Sequence, residues 1–127
     1  ADPDVYAQST LPGCPDGTAL DAFANLCSTL VLTDQLVAIT PQGDLRTILD
    51  DSHPEKATRY MQKFAQGTAT MGDMMAPHGT VAPWMASLTF GGPDLKTVYI
   101  GSLRGTTIPF FRSPVAGLPM VHWHERH

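Results

Sequence analysis

Short apolar runs separated by turn-forming residues fill the first part of the chain. Thr18–Asp21, Leu26–Leu32, Leu36–Thr40 and Leu45–Leu49 read as strands, with Pro15-Asp16-Gly17, Ala24-Asn25 and Pro41-Gln42-Gly43 as the turns around them. Pro presets φ and Gly accepts a positive φ, so Pro41-Gln42-Gly43 between two apolar runs predicts a hairpin. The period then changes. Ala57, Tyr60, Met61, Phe64 and Ala65 recur at helical spacing, Glu55 precedes Arg59 by one turn and Gly67 stands where a C-cap belongs, which predicts an amphipathic helix over about 53–66. Ser52 and Glu55 have the spacing of a capping box. Thr70 to Met75 predicts one further short helical turn, and Ala76-Pro77-His78-Gly79 a loop. Strands resume at Met85–Phe90, Thr97–Ser102 and Thr106–Phe111, Gly91-Gly92-Pro93-Asp94 is a turn, and Gly117–Trp123 reads as ending in an edge strand.

This pattern predicts a mainly β fold of antiparallel meanders with one inserted helix, arranged as a sandwich, barrel or propeller. At four strands per blade the strands make about two propeller blades, and a closed ring needs about four or more, so open sheet edges are expected. A length of 127 residues fits one domain: strands of a first blade over about 1–50, a helical insertion and loop over 51–79, and strands of a last blade over 80–127. The 43% hydrophobic and 16% charged content is that of a folded chain. A net charge of −4 without a Lys/Arg cluster argues against nucleic acid and anionic membrane as partners. No apolar run approaches the roughly 20 residues that span a bilayer. Residues 1–8 also lack the basic start and apolar stretch of a secretion signal, so a cytoplasmic location is expected. Cys14 and Cys27 lack metal-site spacing and are expected to be buried free thiols.

Pro15-Asp16-Gly17-Thr18-Ala19-Leu20-Asp21-Ala22, followed by Asn25-Leu26, resembles a strand pair of the senescence-marker-protein/gluconolactonase family. Ser87-Leu88-Thr89-Phe90-Gly91-Gly92-Pro93-Asp94-Leu95-Lys96-Thr97-Val98-Tyr99 resembles a strand pair of that family's last blade. The resemblance implies the carboxy-terminal two blades of a six-bladed β-propeller hydrolase. It also implies a central divalent metal, calcium or zinc, bound by a Glu, two Asn and an Asp. Asp16 matches the Asp, which in the family binds the metal and acts as general base in lactone opening. No segment of this chain matches the motifs of the Glu and the two Asn. Cys27 stands where the family usually has Trp, and Ala24 where it usually has Gly.

The residues themselves leave alternatives open. Asp16 is a candidate metal ligand and base, or ordinary turn chemistry bonding its own backbone. Ser87 is a candidate substrate contact, a candidate nucleophile if His78 or His53 and Asp16 come close, although no Gly-x-Ser-x-Gly elbow accompanies it, or an ordinary strand hydroxyl. His78 could line the mouth of a site or be a plain loop residue. His122, His124, Glu125 and His127 are metal-ligand types in a segment that reads equally as a polar tail. The expected function is a hydrolase of small carboxylic esters or lactones, its site completed by oligomerisation as a dimer or trimer. The other reading is a non-catalytic oligomeric propeller fragment that binds a small ligand or a protein partner.

Overall fold

The computed structural model describes residues 11, 13–75 and 78–125. The stretch read for a secretion signal, the loop residues Ala76 and Pro77, and His127 lie outside the described residues. The described chain is mainly antiparallel β. β1 (Pro15–Leu20), β2 (Leu26–Leu30), β3 (Gln35–Ile39) and β4 (Leu45–Asp50) form a four-stranded meander. After α1 (Pro54–Ala65) and α2 (Met71–Met75), β5 (Met85–Gly91), β6 (Thr97–Ser102) and β7 (Phe110–Arg112) form a three-stranded one.

Alternation explains how the two sheets meet. Cys27, Leu36 and Ala38 of the first sheet and Leu88, Val98 and Ile100 of the second form one buried cluster with Ala82 and Met85. Ala19, Leu49, Phe90 and Phe111 close its rim. Each fully buried Leu, Ile or Met contributes about 1.5–3 kcal/mol relative to exposure. β2 and β3 are buried along nearly their whole length. β4 and β7, at the sheet edges, are largely exposed.

Several boundaries differ from the sequence expectation for physical reasons. Pro15-Asp16-Gly17 is strand, not turn, because the chain bulges there and stays paired on both sides of the bulge. β2 stops at Leu30, and Val31 to Asp34 make a turn whose last residue takes a left-handed φ of 53°. The predicted strand from Thr106 shrinks to Phe110–Arg112, since Pro109 has no amide to give and joins only by accepting from Ile100 N. Gly117–Trp123 forms no strand beyond one bridge between Gly117 and Asp21. Through that bridge the segment after β7 returns to the end of β1, Leu118 N donating to Leu20 O and Ala22 N to Ala116 O. Gly117 also packs against the Phe90 ring so closely that any side chain would collide with it.

α1 follows its apolar period and ends as predicted. Gly67, φ 70°, donates to Phe64 O, and Thr68 N donates to Lys63 O, the paired bonds of a Schellman cap. Its start differs, because Asp50 Oδ1 takes the Ser52 amide and no side chain caps the helix. Only Ala57 and Tyr60 of its apolar face are buried, and Phe64 stays exposed. In the β1–β2 turn Ala24 adopts a left-handed φ of 62°, a conformation that suits Gly. Ala24→Gly is therefore expected to raise stability by about 0.5 kcal/mol in urea unfolding, relief of Cβ strain exceeding the added unfolded-state entropy.

Candidate functional site

The two sheets touch most closely where both are bulged. In β1, Asp16 and Gly17 together oppose Thr29, the pairing running from Pro15–Leu30 to Thr18–Ser28. The buried Thr29 hydroxyl replaces the missing ladder bonds, accepting from Gly17 N at 3.0 Å and donating to Gly17 O at 3.4 Å. In β5, Ala86 is the extra residue between the pairs Met85–Ser102 and Ser87–Gly101. Gly17 lies against this second bulge: a Cβ on it would stand 2.6 Å from Ala86 O and 2.7 Å from Ser87 Cα. Bulges re-aim side chains and end regular pairing, and here two of them bring Gly17, the residue after Asp16, against the Ser87 backbone.

Both side chains are exposed. Neither makes a side-chain hydrogen bond or ion pair with any described residue. Ser87 Oγ lies over Gly101, its cross-strand partner, where any Cβ would overlap it. Asp16 thus offers an accessible carboxylate on β1, and Ser87 an accessible hydroxyl on β5.

His78 is placed elsewhere. Its side chain is only 4% exposed, and Nδ1 lies 3.0 Å from Asp34 Oδ2 while Nε2 lies 3.0 Å from Met74 O. Burial draws its pKa below the ordinary histidine value, against the opposing pull of the Asp34 hydrogen bond and charge. Asp34 Oδ2 and Met74 O are both acceptors, so the protonated ring donates to both and the neutral ring donates through only one of its nitrogens. Both nitrogens are engaged, so His78 is held away from the bulged strands that carry Asp16 and Ser87. His53, the other candidate base, stands exposed at the start of α1.

Around His78 lies a polar clasp that sequence reasoning missed. Asp34, fully buried, accepts from Gly79 N at 2.7 Å and from Met85 N at 3.0 Å. Asp51 accepts from Val81 N at 2.8 Å and Ala82 N at 2.9 Å. The two carboxylates hold the segment leading into β5, including Trp84 at a left-handed φ of 57° and stacked 5.0 Å from the His78 ring. The partners lie 30 to 51 positions apart in sequence, and no local spacing announces them.

Among the described residues no three His, Cys, Asp or Glu side chains converge. Asp16 does not belong to any such group. His122, His124 and Glu125 lie in or beside a turn, with His122 Nδ1 3.1 Å from Glu125 Oε1 and both side chains exposed. Cys14 and Cys27 are unpaired. Cys27 is buried as expected, and burial pushes its thiol up to about 11; Cys14 is exposed, contrary to expectation. No helix among the described residues is long and apolar enough to cross a membrane. No protein-family model matches the sequence, and no curated protein matches it.

Proposed function

We propose that this chain supplies the Asp16 corner of a hydrolase acting on lactones or small carboxylic esters, as two blades of a gluconolactonase-like propeller. The observation that supports the reading is the paired bulge that packs Gly17, next to Asp16, against the Ser87 backbone, at the two motifs on which the family resemblance rests. Asp16 acts as general base: a water oxygen attacks the acyl carbon while Asp16 takes its proton. The acyl C–O bond then breaks, and the departing oxygen takes that proton. Ser87 positions the substrate by hydrogen bonding. No segment of this chain matches the family motifs of the Glu and two Asn that would complete a divalent-metal site, so no step is assigned to a metal. The unpaired Cys14 and Cys27 suit a reducing cytoplasm.

The site is completed between chains, with three copies forming a six-bladed ring as the main arrangement and a dimer through α1 as its rival. Supporting assembly are the apolar side chains left uncovered on the outer strands and near them, Leu45 and Ile48 at one edge and Ile108 and Phe110 at the other, the last two 70% and 67% exposed. The same exposure favours the second reading, a non-catalytic module that binds through its open edge.

The test is hydrolysis of γ-lactones and short aryl esters by the purified protein, with its solution mass measured in parallel. Asp16→Asn should lower kcat/KM at least about 100-fold and Ser87→Ala about 10-fold. Undiminished turnover by Asp16→Asn overturns the hydrolase. Absence of turnover together with a stable oligomer favours the binding module, and a monomer at micromolar concentration overturns the assembly.

A further inference from the structure

The bulge in β1 contains the single Asp-Gly step of the chain, Asp16-Gly17. An aspartyl carboxyl is attacked most readily by the amide nitrogen of a following glycine, because no Cβ obstructs ring closure. The Asp16 side chain is exposed, and no described residue holds its carboxyl by a hydrogen bond or ion pair. The carbon that would be attacked is therefore free.

The attacking nitrogen is not. Gly17 N donates to the buried Thr29 hydroxyl at 3.0 Å, and that hydroxyl donates back to Gly17 O at 3.4 Å. To close a ring onto Asp16, Gly17 N must leave Thr29 and turn out of the strand. Gly17 is packed so closely that an added Cβ would stand 2.6 Å from Ala86 O, which resists that turn. The described aspartates that precede other small residues are held at both groups. Asp21 accepts from Asn25 while Ala22 N donates to Ala116 O. Asp51 accepts from Val81 N and Ala82 N while Ser52 N donates to Asp50. Asp16 differs from both in having only its nitrogen partner restrained.

We propose that Asp16-Gly17 is a site of spontaneous isomerisation to isoaspartate, and that the Thr29 hydroxyl governs its rate in the folded chain. Gly17 N attacks Asp16 Cγ. The N–Cγ bond forms, the Cγ–O bond breaks, and the oxygen departs as water with the amide proton and the carboxyl proton. Water then opens the cyclic imide. Addition at Cγ restores aspartate; addition at the main-chain carbonyl carbon breaks its bond to Gly17 N and leaves isoaspartate, with the chain running through Cβ and Cγ and lengthened by a methylene. The added methylene falls where Gly17 meets Ala86 and Ser87, so isomerised chains should unfold at lower urea concentration. Isomerisation does not depend on the hydrolase reading.

The test is ageing of the folded protein at neutral pH and physiological temperature, followed by peptide mapping with electron-transfer fragmentation, which distinguishes isoaspartate from aspartate. Isoaspartate should accumulate at Asp16 and not at Asp21 or Asp51. Thr29→Val removes the hydroxyl at nearly constant shape and should accelerate accumulation about fivefold, the effect of one lost hydrogen bond on local opening, whereas Thr29→Ser should keep the parent rate. Amide exchange in the unaltered protein gives a second reading that needs no substitution: Gly17 N–H should exchange at least about tenfold more slowly than in the unfolded chain. Equal accumulation at Asp21 or Asp51, no isoaspartate at Asp16, the parent rate in folded Thr29→Val, or an unprotected Gly17 amide overturns the proposal.

Discussion

Replacing Asp34 by Ala lowers the unfolding free energy by about 3–5 kcal/mol, measured by urea denaturation. The exchange removes an acceptor that the Gly79 and Met85 amides meet inside the protein, and water cannot replace it at a side chain that is fully buried. It also strips His78 Nδ1 of its carboxylate neighbour and places an Ala at a left-handed φ of 53°. Two further exchanges separate these causes. Asp34→Gly relieves the backbone and should still lose about 2–3 kcal/mol through the orphaned amides. Asp34→Asn keeps one acceptor oxygen and tolerates the left-handed backbone, so its loss should be smaller than that of either. A loss below about 1 kcal/mol for Asp34→Ala shows that the clasp does not hold the entry to β5.

The clasp marks the limit of what residue order reveals. α1 was legible because its apolar period, its Gly stop and its length all act within a few turns of one element, and the Pro41-Gln42-Gly43 hairpin because turn chemistry is local. Asp34 followed an apolar run and preceded another, so it looked like the gap between strands that it is. Its bond to Met85 N closes over 51 positions and has no counterpart in any short motif. The helix start failed on a local competition: Ser52 has the cap spacing, but the Asp50 carboxylate reaches its amide. His78 reads in the sequence either as lining the mouth of a site or as a plain loop residue, and burial between Asp34, Met74 and Trp84 holds it in the loop. The close approach of β1 to β5 was partly legible, since Asp16 and Ser87 lie in motifs whose resemblance implies one propeller. Its mechanism was hidden, because Pro-Asp-Gly is good turn sequence and only the Thr29 hydroxyl, one strand away, makes it a bulged strand.

Gly17→Ala should therefore separate fold from site more sharply than any change to the site's own side chains. Its new methyl would meet Ala86 O and the Ser87 Cα, both backbone atoms, and neither can swing aside as a flexible side chain would. Relieving the overlap requires β1 to lift from β5 at the bulges, at an expected loss of about 2–3 kcal/mol. Gly72→Ala is the control, because its nearest neighbour would be Thr70 Oγ1 at 3.7 Å within a short helix, and it should change stability little or raise it. If the Asp16 and Ser87 pairing carries turnover, Gly17→Ala should also lower kcat under conditions where it remains folded, because the two side chains are moved apart without being altered. Stability lost with kcat unchanged would assign the paired bulges to packing alone and leave Asp16 to act without Ser87. Stability retained would mean that the strands part easily at this point, and that the close approach of Gly17 to Ser87 does not set the geometry of the site.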